Sequence, residues 1–220
     1  MTRTRKTMRR MMSAVLILTA GCASFGLSAR GGEEGLDSRV RAFLETHDWG
    51  RGDMNVPDVD GQTLHDIIVQ NGYTRALEIG TSTSHSGIWI AWALSKTGGK
   101  LITIDIDKRR HEEAVKNFKK AGLSKYIDAR LGDAHTLVPE LEGPFDFVFS
   151  DADKNWYKNY FIAVFPKLEV GGCYTTHNVY ERWGRGRGGG YLDYLKSLPN
   201  METAVDERGG GLAVSYKKTK

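Results

Sequence analysis

Polar side chains stand at the ends of four apolar runs of this sequence. They lie in the segments Asp105-Ile106-Asp107, Asp133-Ala134-His135, Asp151-Ala152-Asp153-Lys154 and His177-Asn178. The acid in the Asp105-Ile106-Asp107 segment stands where nucleotide-binding α/β proteins commonly hydrogen-bond the two hydroxyls of a ribose. Each acid by itself is typical of a helix cap or an exposed loop. Four successive runs that end in this way indicate a single ligand site.

A glycine follows an earlier apolar run, residues 76–79. Gly80 permits a tight turn into the next helix, whose free N–H groups could receive a carboxylate or hydroxyl of a ligand. A dinucleotide fingerprint needs further glycines at the third and sixth positions, where this chain has Ser82 and His85. The sequence therefore disfavours a nicotinamide oxidoreductase, which stays as a third interpretation.

Short apolar runs alternate with amphipathic stretches from residue 75 onward. The predicted strands are 76–79, 101–106, 126–131, 145–149 and 173–176, and the predicted helices between them are 87–94, 111–121, 135–141 and 157–168. This alternation predicts a doubly wound α/β fold with a mostly parallel sheet. After a helix over 192–198, strands over 202–205 and 212–216 predict a C-terminal antiparallel hairpin, which makes seven strands. Ligands of such sheets bind beyond the carboxyl ends of the strands.

The charge of the chain is concentrated at its N-terminus. The 220 residues include 31 Lys and Arg against 27 Asp and Glu, but five of the basic residues lie in the first 21, where there is no acid. The rest of the chain has no basic excess, which disfavours nucleic-acid binding. Trp183–Gly190 has an arginine-glycine composition in one copy only, and we interpret it as a flexible loop over the site.

The first 21 residues are typical of a secretory signal. A basic start precedes the apolar run Met11–Ala20, which is too short to span a bilayer. Leu18–Cys22 resembles a bacterial lipoprotein processing site, so we expect export to the cell envelope, with membrane attachment through a lipid on Cys22. A cytoplasmic enzyme with a misassigned start, or an organelle transit peptide, is the alternative. We expect a flexible tether over 22–36 and one domain over 37–220.

Six stretches of the chain together resemble one protein family. They are 49–62 (WGRGDMNVPDVDGQ), 76–86 (ALEIGTSTSHS), 101–107 (LITIDID), 131–141 (LGDAHTLVPEL), 145–157 (FDFVFSDADKNWY) and 171–179 (GGCYTTHNV). They are similar to the class I S-adenosylmethionine (SAM)-dependent methyltransferases, specifically the cation-dependent, catechol-type O-methyltransferases. The resemblance implies a Rossmann-like methyltransferase fold, and it spans nearly the whole predicted domain.

The resemblance also implies roles for individual residues. Those implied to bind SAM are Met54, Asn55, Val56, Glu78, Gly80, Ser86, Asp105, Asp133, Ala134, His135 and Asp151. Within this set, Asp105 would bind the ribose hydroxyls, and Asp133, Ala134 and His135 would border the adenine. Lys154 would take the substrate proton as the catalytic base. The substrate contacts implied are Trp49, Lys154, Asn178 and Glu202.

The implied metal ligands are Asp151, His177 and Asn178, of which His177 departs from the family pattern. The family usually has an aspartate at this position. Imidazole favours Mn²⁺, Fe²⁺, Ni²⁺ or Zn²⁺ over Mg²⁺, so a metal bound here is expected to be a transition metal. The alternative is that metal binding is weakened or lost and that His177 is a polar strand-end residue or a base.

The resemblance implies an O-methyltransferase that uses SAM and a divalent cation on a small hydroxylated aromatic, such as a catechol. SAM is made in the cytosol, which conflicts with export. A rival interpretation is therefore a cell-envelope binding protein that kept the fold and lost turnover. Family members often form dimers, and the sequence does not decide between a monomer and a homodimer.

Overall fold

A computed structural model describes residues 23–50, 52–181 and 189–220, with side chains from residue 34 onward. The predicted signal over 1–21, Cys22 and most of the predicted loop Trp183–Gly190 lie outside the described residues. The chain divides into two compact units, Met1–Gly35 and Leu36–Lys220. The second begins one residue before the predicted domain start at Asp37. No helix among the described residues is long and apolar enough to cross a membrane.

Seven strands form one sheet in the order β3-β2-β1-β4-β5-β7-β6. The strands are β1 (Arg75–Ile79), β2 (Lys100–Asp105), β3 (Ile127–Leu131), β4 (Phe145–Ser150), β5 (Leu168–Thr176), β6 (Met201–Asp206) and β7 (Leu212–Lys217). The first five are parallel, and β7 pairs antiparallel with both β5 and β6. The predicted fold class is confirmed, including the C-terminal hairpin.

Helices cover both faces of the sheet. They are α1 (Ala23–Thr46), α2 (Asp58–Asn71), α3 (His85–Thr97), α4 (Lys108–Ala121), α5 (Ala134–Glu140), α6 (Tyr157–Val164) and α7 (Gly189–Ser197). Buried side chains of α2, α3 and α4 pack on one face with Phe147 and Phe149. Those of α5, α6 and α7 pack on the other face with Val148. The near-continuous apolar sequence of β4 follows from this burial on both faces.

Residues 23–36, predicted as a flexible tether, form the start of α1. Two predicted boundaries are wrong. The helix predicted over 157–168 ends at Val164, since Pro166 cannot continue it, and β5 begins at Leu168 instead of Cys173. Gly171 and Gly172 lie inside that strand, where the pairing with β4 shifts register.

The register of the parallel strands aligns their carboxyl ends. Ile79 pairs with both Ile104 and Ser150, and Ser150 pairs with Thr176. The polar segments that follow these strands therefore start at one edge of the sheet. The β6–β7 turn reaches the same edge, because Thr176 pairs with Ala213 at the start of β7.

Candidate active site

A cavity of about 740 Å³ lies beyond the carboxyl ends of the parallel strands. This volume lies within the range of small-molecule sites. The structure brings twelve of the sequence-predicted site residues to its wall. They are Met54, Asn55, Gly80, Ser86, Asp105, Asp133, Ala134, His135, Asp151, Lys154, His177 and Asn178.

The loop after β1 approaches the end of β4 closely. Gly80 has φ +104°, and a Cβ there would lie 2.7 Å from the carbonyl oxygen of Asp151, so glycine is required. Asp105 holds this loop from the other side. Its carboxylate accepts hydrogen bonds from the backbone N–H groups of Ser82 (2.7 Å) and Asp107 (2.8 Å). Asp105 is thereby fixed at the cavity wall, with oxygen lone pairs left for ligand hydroxyls.

Glu78 lies beneath the cavity floor and is fully buried. Its carboxyl group accepts hydrogen bonds from the hydroxyls of Ser86 (2.6 Å) and Thr103 (2.5 Å). Burial raises the pKa of Glu78 to about 8, against the opposing effect of these two hydrogen bonds. Glu78 is therefore protonated near neutral pH and supports the floor without lining the cavity.

One end of the cavity can hold a flat ring. The His135 ring stacks on Trp156 with centroids 3.9 Å apart and an angle of 16° between the planes. Asp133 caps α5, since its carboxylate accepts from the backbone N–H of His135 at 2.9 Å. Ile106, which is 69% exposed, offers an apolar surface on the cavity wall. An aromatic base would pack against these groups.

His177, also on the cavity wall, lies between two carboxylates. Its Nε2 is 3.0 Å from Oδ2 of Asp60, and its Nδ1 is 3.1 Å from Oδ2 of Asp151. Burial disfavours the charged ring, but the hydrogen bonds and charges of Asp151 and Asp60 outweigh it and raise the pKa of His177 to about 9. His177 is therefore an imidazolium at neutral pH.

Lys154 and Asn178 meet at the cavity wall next to His177. The Lys154 ammonium donates a hydrogen bond to Oδ1 of Asn178. Asn178 has φ +57°, a conformation that asparagine tolerates better than most residues, and its Nδ2 donates to the carbonyl of Gly210 at 3.4 Å. Lys154 is otherwise exposed, so its amine can meet a ligand in the cavity.

These residues do not fit a divalent cation. Both ring nitrogens of His177 face carboxylates, and the side-chain oxygen of Asn178 accepts from Lys154. A histidine ligand needs a neutral ring with a free lone pair. Among the described residues, no group of three or more His, Cys, Asp or Glu side chains is arranged to hold a metal ion.

Four predicted site residues are not on the cavity wall. Glu78 lies beneath the floor, Val56 is buried in the core, and Trp49 packs edge-on against His85 at 4.9 Å. Glu202, implied as a substrate contact, is not brought to the cavity. Glu202 pairs with Tyr216 and through it stands level with Cys173, about 10 Å along β5 from the site end. It forms an exposed ion pair with Lys218.

Sequence reasoning missed Asp60, Gly210 and Arg110. Asp60 is 1% exposed in the first turn of α2, where an acid is ordinarily interpreted as an exposed helix-start residue. The glycine-rich turn over 209–211 was interpreted only as a hairpin turn. Arg110 lies in the first turn of α4 and reaches the cavity wall and the carbonyl of Gly52 (3.3 Å). The only signals in the sequence for these contacts were the Asp60-Gly61 and Gly209-Gly210 pairs. Neither pair indicates that Asp60 contacts His177 and Gly210.

We expect the stability of the ligand-free protein to fall as pH rises from about 6.5 to 9. The folded-state pKa of His177 exceeds its ordinary value of 6.5, so its stabilising contribution is complete below pH 6.5 and is lost as pH passes 9. The loss should be about 3 kcal/mol of unfolding free energy. Denaturant unfolding across this range measures it. Glu78 acts in the same direction, so the difference between wild type and His177→Gln isolates His177; equal slopes would contradict the assignment.

The fold and the position of the cavity are those of a Rossmann-like methyltransferase. The sequence model of the O-methyltransferase family matches residues 33–184. A catechol O-methyltransferase of Niastella koreensis is 44% identical over 132 residues, which are 58% of this chain and 57% of that protein. Caffeoyl-CoA O-methyltransferase 1 of Eucalyptus globulus is 32% identical over 145 residues, 64% of this chain and 58% of that protein. The chain thus spans a little over half the length of these relatives.

Solved structures show the same fold. The O-methyltransferase TomG from Streptomyces achromogenes, in complex with SAM, has a TM-score of 0.68 and 24% identity, over 84% of this chain and 90% of that one. An O-methyltransferase from Bacillus cereus, in complex with SAH, has a TM-score of 0.65 and 22% identity, over 86% of this chain and 91% of that one. Because the family model matches well over half of its residues, the chain belongs to the O-methyltransferase family.

Proposed function

We propose that this protein transfers a methyl group from SAM to a hydroxyl group of a small, catechol-like aromatic, with Lys154 as the base. The observation that carries the proposal is one cavity whose wall includes Asp105 and the stacked His135 together with Lys154 and Asn178. A ribose-binding acid and a proton acceptor thus share one enclosed space. Membership of the O-methyltransferase family and the catechol O-methyltransferase of Niastella koreensis support this substrate class.

Some residues of the cavity bind SAM, and others transfer the proton of the acceptor. When bound, SAM supplies a methyl group on a positively charged sulfur. Asp105 accepts hydrogen bonds from the ribose hydroxyls, and His135 packs beside the base. Met54, which is 67% exposed at the cavity, and Asn55 contact the methionine part. These contacts fix the methyl group in line with the acceptor oxygen, which is the main requirement of a displacement reaction.

Nζ of Lys154 accepts the proton of the acceptor hydroxyl. The new bond joins the acceptor oxygen to the methyl carbon, and the bond from that carbon to sulfur breaks. Asn178 holds the Lys154 side chain by its hydrogen bond and so sets the direction of the amine. Charge is neutralised in the transfer, so a cavity that excludes water favours the reaction over solution.

Calorimetric titration of the full chain with SAM tests the proposal. We expect a micromolar Kd, and about tenfold or greater weakening in Asp105→Asn, because a hydrogen bond to a charged group is lost. Asp128→Asn on β3, an exposed acid paired with Arg130, is the matched control and should bind as wild type does. Absence of SAM binding would overturn the proposal.

Turnover separates the enzyme from the rival interpretation. The same protein, incubated with SAM and a panel of catechols, should give methylated product by mass spectrometry. SAM binding without product from any hydroxylated aromatic would favour a binding protein that kept the fold and lost catalysis.

A further inference from the structure

Three separate elements bring Asp60, Asp151 and His177 together. Asp60 lies in the first turn of α2, Asp151 follows β4 and His177 follows β5. His177 and Asp60 are 5% and 1% exposed. The single hydroxyl hydrogen of Tyr157 is shared between the carbonyl of His177 at 3.0 Å and Oδ1 of Asp151 at 3.3 Å. Both carboxylate oxygens of Asp151 are therefore engaged by protein groups.

The imidazole ring has no lone pair to offer. Each ring nitrogen lies within hydrogen-bond distance of a carboxylate oxygen, at 3.0 and 3.1 Å. A carboxylate accepts but cannot donate, so both contacts are satisfied only when both nitrogens carry protons. A neutral ring would place a lone pair against one of the two carboxylates. The geometry thus selects the doubly protonated ring.

The β6–β7 turn closes the remaining side of this group. The backbone N–H of Gly210 donates to Oδ2 of Asp60 at 2.7 Å. A Cβ on Gly210 would lie 2.3 Å from Nε2 of His177, and one on Gly209 would lie 2.2 Å from Oδ1 of Asp60. Even one added methyl group would clash here, so no space remains on this side for an ion and its ligands.

We propose that His177, held by Asp60, takes the position of a divalent cation beside Asp151, so that methyl transfer by this chain needs no metal ion. The catalytic part of this inference rests on the proposed function, whereas exclusion of the ion from the site is testable by binding alone. The imidazolium supplies a fixed positive charge at the acceptor end of the cavity. Orientation of the acceptor hydroxyl then depends on Lys154 and Asn178.

Mn²⁺ titration of the full chain, followed by the electron paramagnetic resonance signal of the free ion, tests exclusion directly. Wild type should leave the signal unchanged. His177→Asp removes the cation and adds a carboxylate next to Asp60, Asp151 and Asn178, so it should bind Mn²⁺ at least about tenfold more tightly. His177→Asn, of similar size and without a charge, is the matched control and should not gain Mn²⁺ binding. Circular dichroism checks that each variant is folded.

Activity in a chelator supplies the second readout. Wild-type turnover should be the same with and without EDTA. Stoichiometric Mn²⁺ binding by wild type that Asp151→Asn removes, or a loss of turnover in EDTA that Mn²⁺ restores, would overturn the inference. If His177→Asp does not fold, the Mn²⁺ titrations of wild type and His177→Asn still show whether the site excludes the ion. Absence of turnover with and without EDTA or Mn²⁺ would contradict the proposed function. The titration would still show whether the ion is excluded.

Discussion

Lys154→Ala is expected to lower kcat for methyl transfer by a factor of about 10² to 10⁴, the usual contribution of a positioned general base. The Lys154 side chain stands at the cavity wall beside Asn178, where it is the amine available to an acceptor hydroxyl. The Kd for SAM should change little, because the groups proposed to bind the ribose and the base are Asp105 and His135, not Lys154. Steady-state kinetics and calorimetry on the same samples measure the two effects.

Two further variants separate proton transfer from charge and from surface effects. Lys154→Arg keeps the positive charge but cannot accept a proton at neutral pH, so it should be nearly as slow as Lys154→Ala. Lys158→Ala removes an exposed lysine of α6 that packs over the ring of Tyr194 at 4.3 Å, and its rate should match wild type. Recovery of most of the rate in Lys154→Arg would show that Lys154 acts by charge alone. An unchanged rate in Lys154→Ala would remove it from the mechanism.

The sheet and most of the cavity wall were predictable because both depend on short segments. Parallel strands buried on both faces are mostly apolar, and each ends where its polar segment begins, as Phe145–Ser150 followed by Asp151 illustrates. The carboxyl ends of such strands always share one edge. The local sequence pattern alone therefore predicts that one cavity is lined by Asp105, Asp133, Asp151 and His177.

The contacts that change the chemistry of the site depend on residues far apart in the chain. Asp60 and His177 are separated by 117 positions, and Gly210 reaches Asp60 across 150. Neither spacing leaves a periodic signal in the sequence. Residue type alone suggests His177 as a metal ligand, whereas the protonation of an imidazole depends on its neighbours. The position of Glu202 depends likewise on distant residues, since the register of β6 places the turn of the hairpin, not its start, at the edge of the sheet where the cavity lies.

The buried pair of Asp60 and His177 gives the largest expected effect on stability. Asp60→Ala leaves a buried imidazolium with one carboxylate instead of two, and it also removes the acceptor for the backbone N–H of Gly210. Breaking a buried ion pair from one side costs about 3 to 5 kcal/mol of unfolding free energy. Chemical denaturation at pH 7 should show a loss in this range, with the slope against denaturant unchanged.

Asp58→Ala is the matched control for this loss, because Asp58 lies in the same first turn of α2 and also bonds a histidine. Its side chain is 83% exposed, and its Oδ1 is 3.1 Å from Nε2 of His85. Exposed carboxylate pairs contribute about 1 kcal/mol or less, so Asp58→Ala should be mild. The cost of Asp60→Ala should also shrink as pH rises past 9, where His177 loses its proton. Equal costs for the two variants, or a cost independent of pH, would mean that the buried pair carries no net charge interaction and that packing alone holds the β6–β7 turn on α2.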